Sequence, residues 1–222
     1  MFPSTAGSFA DSAVATRIIN EVNRVVCGVR PMAQDEQPDL LSPVSDLQLV
    51  RLLLADLHDD LLGKITRFRQ LTDLSGALGT HGTMLYGGET TYVTWTEART
   101  SFIHGNYVAT VLLCQSLAEH LLAAQVALGL SKQSPPSRIT FRETLELCLG
   151  HGVITQRDAD DLIRLMELRN PLSHFRGIDD PSNLSRRVIN SQVSAEAHLF
   201  NDARFAIAMA IRLLALPSFR LG

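Results

Sequence analysis

YVATVLLCQSLAEHLLAAQVAL, residues 107–128, is apolar around most of its circumference when wound as an α-helix. Val108, Val111, Leu112, Leu113, Leu117, Leu121, Leu122 and Val126 leave little of its surface for water. Such a helix belongs in the middle of a bundle. Upstream, Thr94-Trp95-Thr96-Glu97 has the spacing of a capping box. The sequence therefore predicts a helix from about 95 to 128, kinked at Gly105.

Working outward, Leu47, Val50, Leu54, Leu57, Leu61, Ile65 and Phe68 step by threes and fours. That stripe predicts one helix from a cap at Ser45 or Asp46 to about Ser75-Gly76. A weaker stripe, Phe9, Val14, Ile18, Val22 and Val25, predicts another over 9–27. Residues 76–93 are rich in Gly and Thr and form the expected boundary. The phosphate-binding pattern G-x-x-x-x-G-K-[ST] is absent from this stretch. Downstream, Thr140-Phe141-Arg142-Glu143 is a second capping box, and Thr155 caps the next helix. That helix carries Leu162, Leu165 and Met166 and meets Asn170-Pro171, where the residue before proline resists helical geometry. A polar stretch, 177–193, precedes a last helix from about Ala195 to Leu216. No useful strand alternation occurs. The expected fold is all-α, an antiparallel bundle of about six helices, with an N-terminal extension over 1–93 and the main domain over 94–222.

The chain of 222 residues is 45% hydrophobic and 19% charged, with a net charge of −3. It has no strongly basic surface for tracking phosphates, so a nucleic-acid role must rest on a local site. Of twenty Lys and Arg, only Lys64 and Lys132 are Lys, leaving eighteen Arg. Cys27, Cys114 and Cys148 sit among apolar neighbours without metal-ligand spacing, as buried thiols of a reducing compartment do. The N-terminus lacks a basic run before an apolar one. A cytoplasmic location, away from membranes, is expected.

One segment concentrates chemistry: Arg169-Asn170-Pro171-Leu172-Ser173-His174. Imidazole moves protons near neutrality, guanidinium holds phosphate oxygens, and RNA brings its own nucleophile, the 2′-OH. Arg-x(4)-His is a cheap pattern, with roughly half a match expected by chance in such a chain. Arg99 and His104 match it too, and Arg51 and His58 fit a slightly longer spacing. Context separates them. Arg169 falls on the apolar stripe of its helix, whereas Arg164 falls on the solvent side. Pro171 frees His174 from regular helical angles, so both side chains can face one cleft. Glu119 falls on an apolar stripe as well, and an Arg169–Glu119 ion pair is expected. The plainer reading is a buried Arg–Glu tie between helices with His174 capping a helix end. The remaining histidines show no metal-ligand spacing, and no G-x-S-x-G turn supports serine catalysis.

Gly105-Asn106-Tyr107, the apolar helix with Glu119, Gly152-Val153-Ile154 and Leu168–His174 together resemble the HEPN superfamily over about residues 94–215. The resemblance implies a helical bundle and a metal-independent endoribonuclease of toxin–antitoxin or antiviral type. It implies a homodimer with the active site at the interface, RNA as substrate, an antitoxin or regulatory protein as a further partner, and no cofactor. Arg169, Asn170 and His174 map onto the catalytic motif, and Glu119 onto an acidic residue of the preceding helix. Pro171 departs from the pattern. Gly152–His174 also resembles the mannitol-repressor family, which implies a non-catalytic regulatory module that docks a partner.

Overall fold

The computed structural model describes residues 45–79, 82–130 and 139–220. The expected helix over 9–27, Cys27 and the turn at 134–137 lie outside them. The chain divides into two units, Met1–Leu54 and Ala55–Gly222. The second unit thus begins well before residue 94.

Among the described residues all regular structure is helical, with one isolated β-bridge between Thr83 and Arg220. The α-helices are α1 (Asp46–His58), α2 (Leu61–Ser75), α3 (Gly88–His104), α4 (Tyr107–Gln125), α5 (Phe141–Gly150), α6 (Gln156–Ser173), α7 (Leu184–Ser191) and α8 (Ala195–Leu214). The all-α expectation holds, but two expected helices are divided and one unexpected helix is added.

The helix expected over 47–75 breaks at Asp59-Asp60, where Asp60 takes the left-handed conformation (φ 51°). Two cations hold the break. Lys64 Nζ donates to the carbonyls of Asp56, Leu57 and Asp59 at 3.0, 3.2 and 2.6 Å, satisfying the end of α1. Arg67 pairs with Asp60 at 2.7 Å, and its Nε donates to the carbonyl of Ile103 at 2.9 Å. Arg67 is nearly buried and fastens α2 to the α3–α4 corner.

The helix expected over 95–128 is also two. Thr94-Glu97 does not cap; α3 already begins at Gly88, and Thr94 is buried within it. Gly105 is a full stop rather than a kink. At φ 81° it lets its own N–H reach Phe102 O (3.2 Å) and that of Asn106 reach Ser101 O (2.9 Å). The added element is α7, which lies inside the polar stretch and is capped by Asn183.

α4 is the central helix, packed by α3, α5, α6 and α8. Val111, Cys114, Leu117, Leu121 and Leu122 are fully buried on it. Residues 107–128 are long and apolar enough to cross a membrane by length and composition; here the neighbouring helices bury under half of that stretch, and Val108 and Leu128 stay exposed. α8 brings Ala203, Ala206 and Ala210 to the core, small side chains that permit close approach. Tyr107 and Phe200, each near the start of its helix, meet with ring centroids 5.5 Å apart. α4 and α8 therefore run parallel. α6 runs antiparallel to both, because Arg212, late in α8, pairs with Asp158 (2.7 Å) and Asp161 (3.2 Å), early in α6. The Arg164 guanidinium lies 4.3 Å from the Phe205 ring centroid in the same register.

Candidate functional site

α6 is anchored firmly at its start. Thr155 and Asp158 form a reciprocal capping box, Thr155 N–H donating to Asp158 Oδ2 at 2.9 Å. Asp158 is buried, and its charge is met by Arg212. Leu162 and Leu165 are fully buried one and two turns later. The C-terminal turns are thereby delivered to the same end of the bundle as Tyr107 and Phe200.

The helix does not stop at Asn170. It runs through Pro171 to Ser173, where Pro171 supplies no N–H to the carbonyl of Glu167. The last turn is stitched by polar groups instead. Ser173 Oγ donates to the carbonyls of Arg169 and Asn170 at 3.3 and 3.4 Å, and the His174 N–H reaches Asn170 O at 2.9 Å. His174 itself is extended (φ −129°, ψ 136°). This one change of backbone direction turns its ring back along the helix, and Nε2 lies 3.4 Å from Arg169 Nη1. Positions five apart on a regular helix diverge, so the pair depends on the extended residue at the helix end.

Arg169 is half-buried and His174 is exposed, so both are reachable from solvent. A guanidinium only donates, so in this contact Nε2 accepts and the imidazole proton sits on Nδ1. Asn170 is half-buried beside them, and its side-chain amide has no hydrogen-bond partner among the described residues.

The expected ion pair between Arg169 and Glu119 is not formed. Among the described residues no carboxylate lies within 4.0 Å of Arg169. Glu119 is half-buried and accepts from Gln115 Nε2 at 3.1 Å. The register explains the separation. The contacts of Arg212 with Asp158 and of Arg164 with Phe205 place Arg169 level with Phe200, hence with Tyr107. Glu119 is twelve residues further along α4, about 18 Å at 1.5 Å per residue.

The second Arg-x(4)-His match is disposed of as well. Arg99 and His104 lie within one regular helix, and the Arg99 guanidinium sits 5.6 Å from the Trp95 ring centroid.

A polar network that the sequence reading did not single out joins α7 to the start of α8. Arg187 grips Asp202 at 2.7 and 3.0 Å, and its Nη2 lies 3.4 Å from His198 Nδ1. His198 Nε2 is 2.8 Å from Ser191 Oγ. This is a Ser–His contact, but its polarity opposes catalysis. Arg187 donates to Nδ1, so Nε2 carries the proton and donates to Ser191. The hydroxyl proton of Ser191 goes to the Arg187 carbonyl at 2.8 Å. The network is a clasp. His198 and Asp202, four residues apart on one helix face, were the legible signal for it.

Cys114 and Cys148 are buried free thiols. Burial pushes the Cys114 thiol far up and the Cys148 thiol up to about 11, which leaves both unreactive near neutrality. Comparison with protein-family models, with curated proteins and with solved structures finds no match to the chain.

Proposed function

We propose that the chain is a HEPN-type endoribonuclease of the toxin–antitoxin or antiviral class that cleaves RNA without a metal, at the Arg169–His174 pair. The observation that carries this reading is the 3.4 Å approach of a solvent-reachable Arg169, free of any carboxylate among the described residues, to an exposed imidazole at a helix end. Arg169 neutralises a non-bridging phosphate oxygen as charge develops there. His174 transfers the proton. In in-line cleavage a base removes the proton of the 2′-OH as its oxygen bonds to phosphorus, and an acid protonates the departing 5′-oxygen. The Arg169–His174 pair has one imidazole for two proton transfers. A homodimer that brings two such segments together supplies the second, and Asn170 positions the phosphate. An antitoxin or regulatory protein partner and a cytoplasmic location belong to the same proposal.

The separation of Glu119 from Arg169 favours the second reading, a non-catalytic docking module like the mannitol-repressor proteins, because the acidic member of the expected site is missing. One experiment separates them. Purified protein is incubated with mixed single-stranded RNA in chelator, in parallel with His174→Ala. Cleavage by the parent and not by the variant supports the nuclease. Equal cleavage by both removes His174 from the chemistry, and no cleavage by the parent leaves the docking module.

A further inference from the structure

Phe175 directly follows His174 and is 95% exposed. The loop that carries it is braced. Asn183 Nδ2 donates to the Arg176 carbonyl at 2.9 Å, and Arg186 Nε donates to the Ile178 carbonyl at 3.1 Å. The Arg186 guanidinium also pairs with Asp179, and the Asp180 N–H reaches Gly177 O at 3.0 Å. Two hydrogen bonds from Ser182, side chain and backbone, hold the Asp180 carboxyl below its usual range and tie the turn further. A flat apolar ring is thus presented to water by a segment whose backbone is fixed on its far side. The extended backbone at His174 sends successive side chains to opposite sides, so the imidazole turns back to Arg169 while the phenyl ring projects outward.

The charges near that ring in sequence are of both signs, with Asp179 and Asp180 paired to Arg186 and Arg176. Arg169 has no carboxylate within 4.0 Å among the described residues, and Arg176 follows Phe175, its Nε 3.9 Å from Asp180. A flat apolar face one residue from the Arg169–His174 pair suits one ligand chemistry: an unpaired nucleobase joined to a phosphodiester. A duplex keeps its base faces inside the stack and cannot use such a ring.

We propose that Phe175 is a stacking platform for the base next to the phosphate held by Arg169 and His174. The proposal rests on the nuclease reading, and its test reads binding separately from cleavage. The probe is a fluorescein-labelled, single-stranded oligoribonucleotide with 2′-O-methyl riboses, which lacks the nucleophile, alongside its duplex. Fluorescence anisotropy gives affinities for the full chain and for Phe175→Ala, Phe175→Leu and Phe175→Trp. Alanine and leucine should weaken single-strand binding about five- to a hundred-fold, and tryptophan should preserve it. Leucine keeps apolar bulk without a stacking face. Equal binding by the alanine variant, rescue by leucine, or equal affinity for the duplex overturns the platform. So does a loss of binding that accompanies dissociation of a dimer in sedimentation, which reassigns Phe175 to an interface. Cleavage of unmodified single-stranded RNA is measured in parallel. Cleavage with no dependence of binding on Phe175 sinks the platform alone. Phe175-dependent binding without cleavage supports the platform and sinks the nuclease. No binding by the full chain sinks both.

Discussion

At the scale of single residues, Arg169 and His174 are adjacent because one residue at the end of α6 is extended. Little core packing depends on either side chain. His174→Ala and Arg169→Ala should each reduce RNA cleavage by about 10²- to 10⁴-fold with unchanged circular dichroism and urea midpoint. Glu119→Ala should leave cleavage intact, since Glu119 sits about 18 Å along α4 from the pair. A Glu119 variant as dead as His174→Ala would put Glu119 in the site and overturn the separation along α4. The approach of Arg169 to His174 was expected from a helix break at Pro171; the helix instead outlasts the proline by two residues, and the extended backbone at His174 brings the pair together. The pairing of Arg169 with Glu119 was not legible. Two charges on two apolar stripes invite pairing, but the axial register of α4 against α6 is set by Arg212, Asp158, Phe205 and Phe200, far away in sequence. Cys148 carries a separate residue-scale prediction. Its thiol titrates near 9.0 when unfolded and near 11 when buried. The folded state holds its proton longer, so the stabilisation is complete below pH 9.0 and is lost as pH rises to about 11. Urea midpoints measured across that window should fall for the parent and fall less for Cys148→Ala.

At the scale of elements, local signals succeeded where they were exposed and failed where packing overrode them. Thr140 with Glu143, and the cap at Thr155, act as their sequences suggest. Thr155→Ala should cost about 1 kcal/mol by urea denaturation, the ordinary loss of an N-cap. A neutral result would mean that the Arg212–Asp158 pair alone fixes the start of α6. Thr94 and Glu97 have the same spacing, yet nothing ends the helix between Gly88 and Thr94, so the helix simply continues through them. The break at Asp59-Asp60 and the helix α7 were hidden for another reason. Both are secured by charged side chains that bond beyond their own turn: Lys64 and Arg67 at the break, and the Arg187–Asp202 pair between α7 and α8. His198→Ala should loosen the α7–α8 clasp. Proteolysis near 184–193 should quicken in that variant, while the urea midpoint of the bundle changes little.

At the scale of the whole molecule, the bundle is built on a parallel pair, α4 and α8, with α5, α6 and α7 threaded between them in sequence. Leu117 and Leu162 are both wholly buried, on α4 and α6. Leu117→Ala and Leu162→Ala should each cost about 2–5 kcal/mol, in the range for buried leucines. Thermal denaturation of the two variants checks it; a loss below about 1 kcal/mol at either position would contradict the packing described.

The parallel pair also sets a problem of biogenesis. During synthesis 69 residues separate the end of α4 at Gln125 from the first residue of α8 at Ala195. At about 5–20 residues per second that is roughly 3–14 seconds without the cover that α8 supplies. Throughout that interval the nascent chain displays a segment, Tyr107–Leu128, whose length and apolarity match a membrane span. A chain released at Ser194 should therefore pellet with membranes or chaperones to a greater extent than the full chain, in which α8 covers part of that segment.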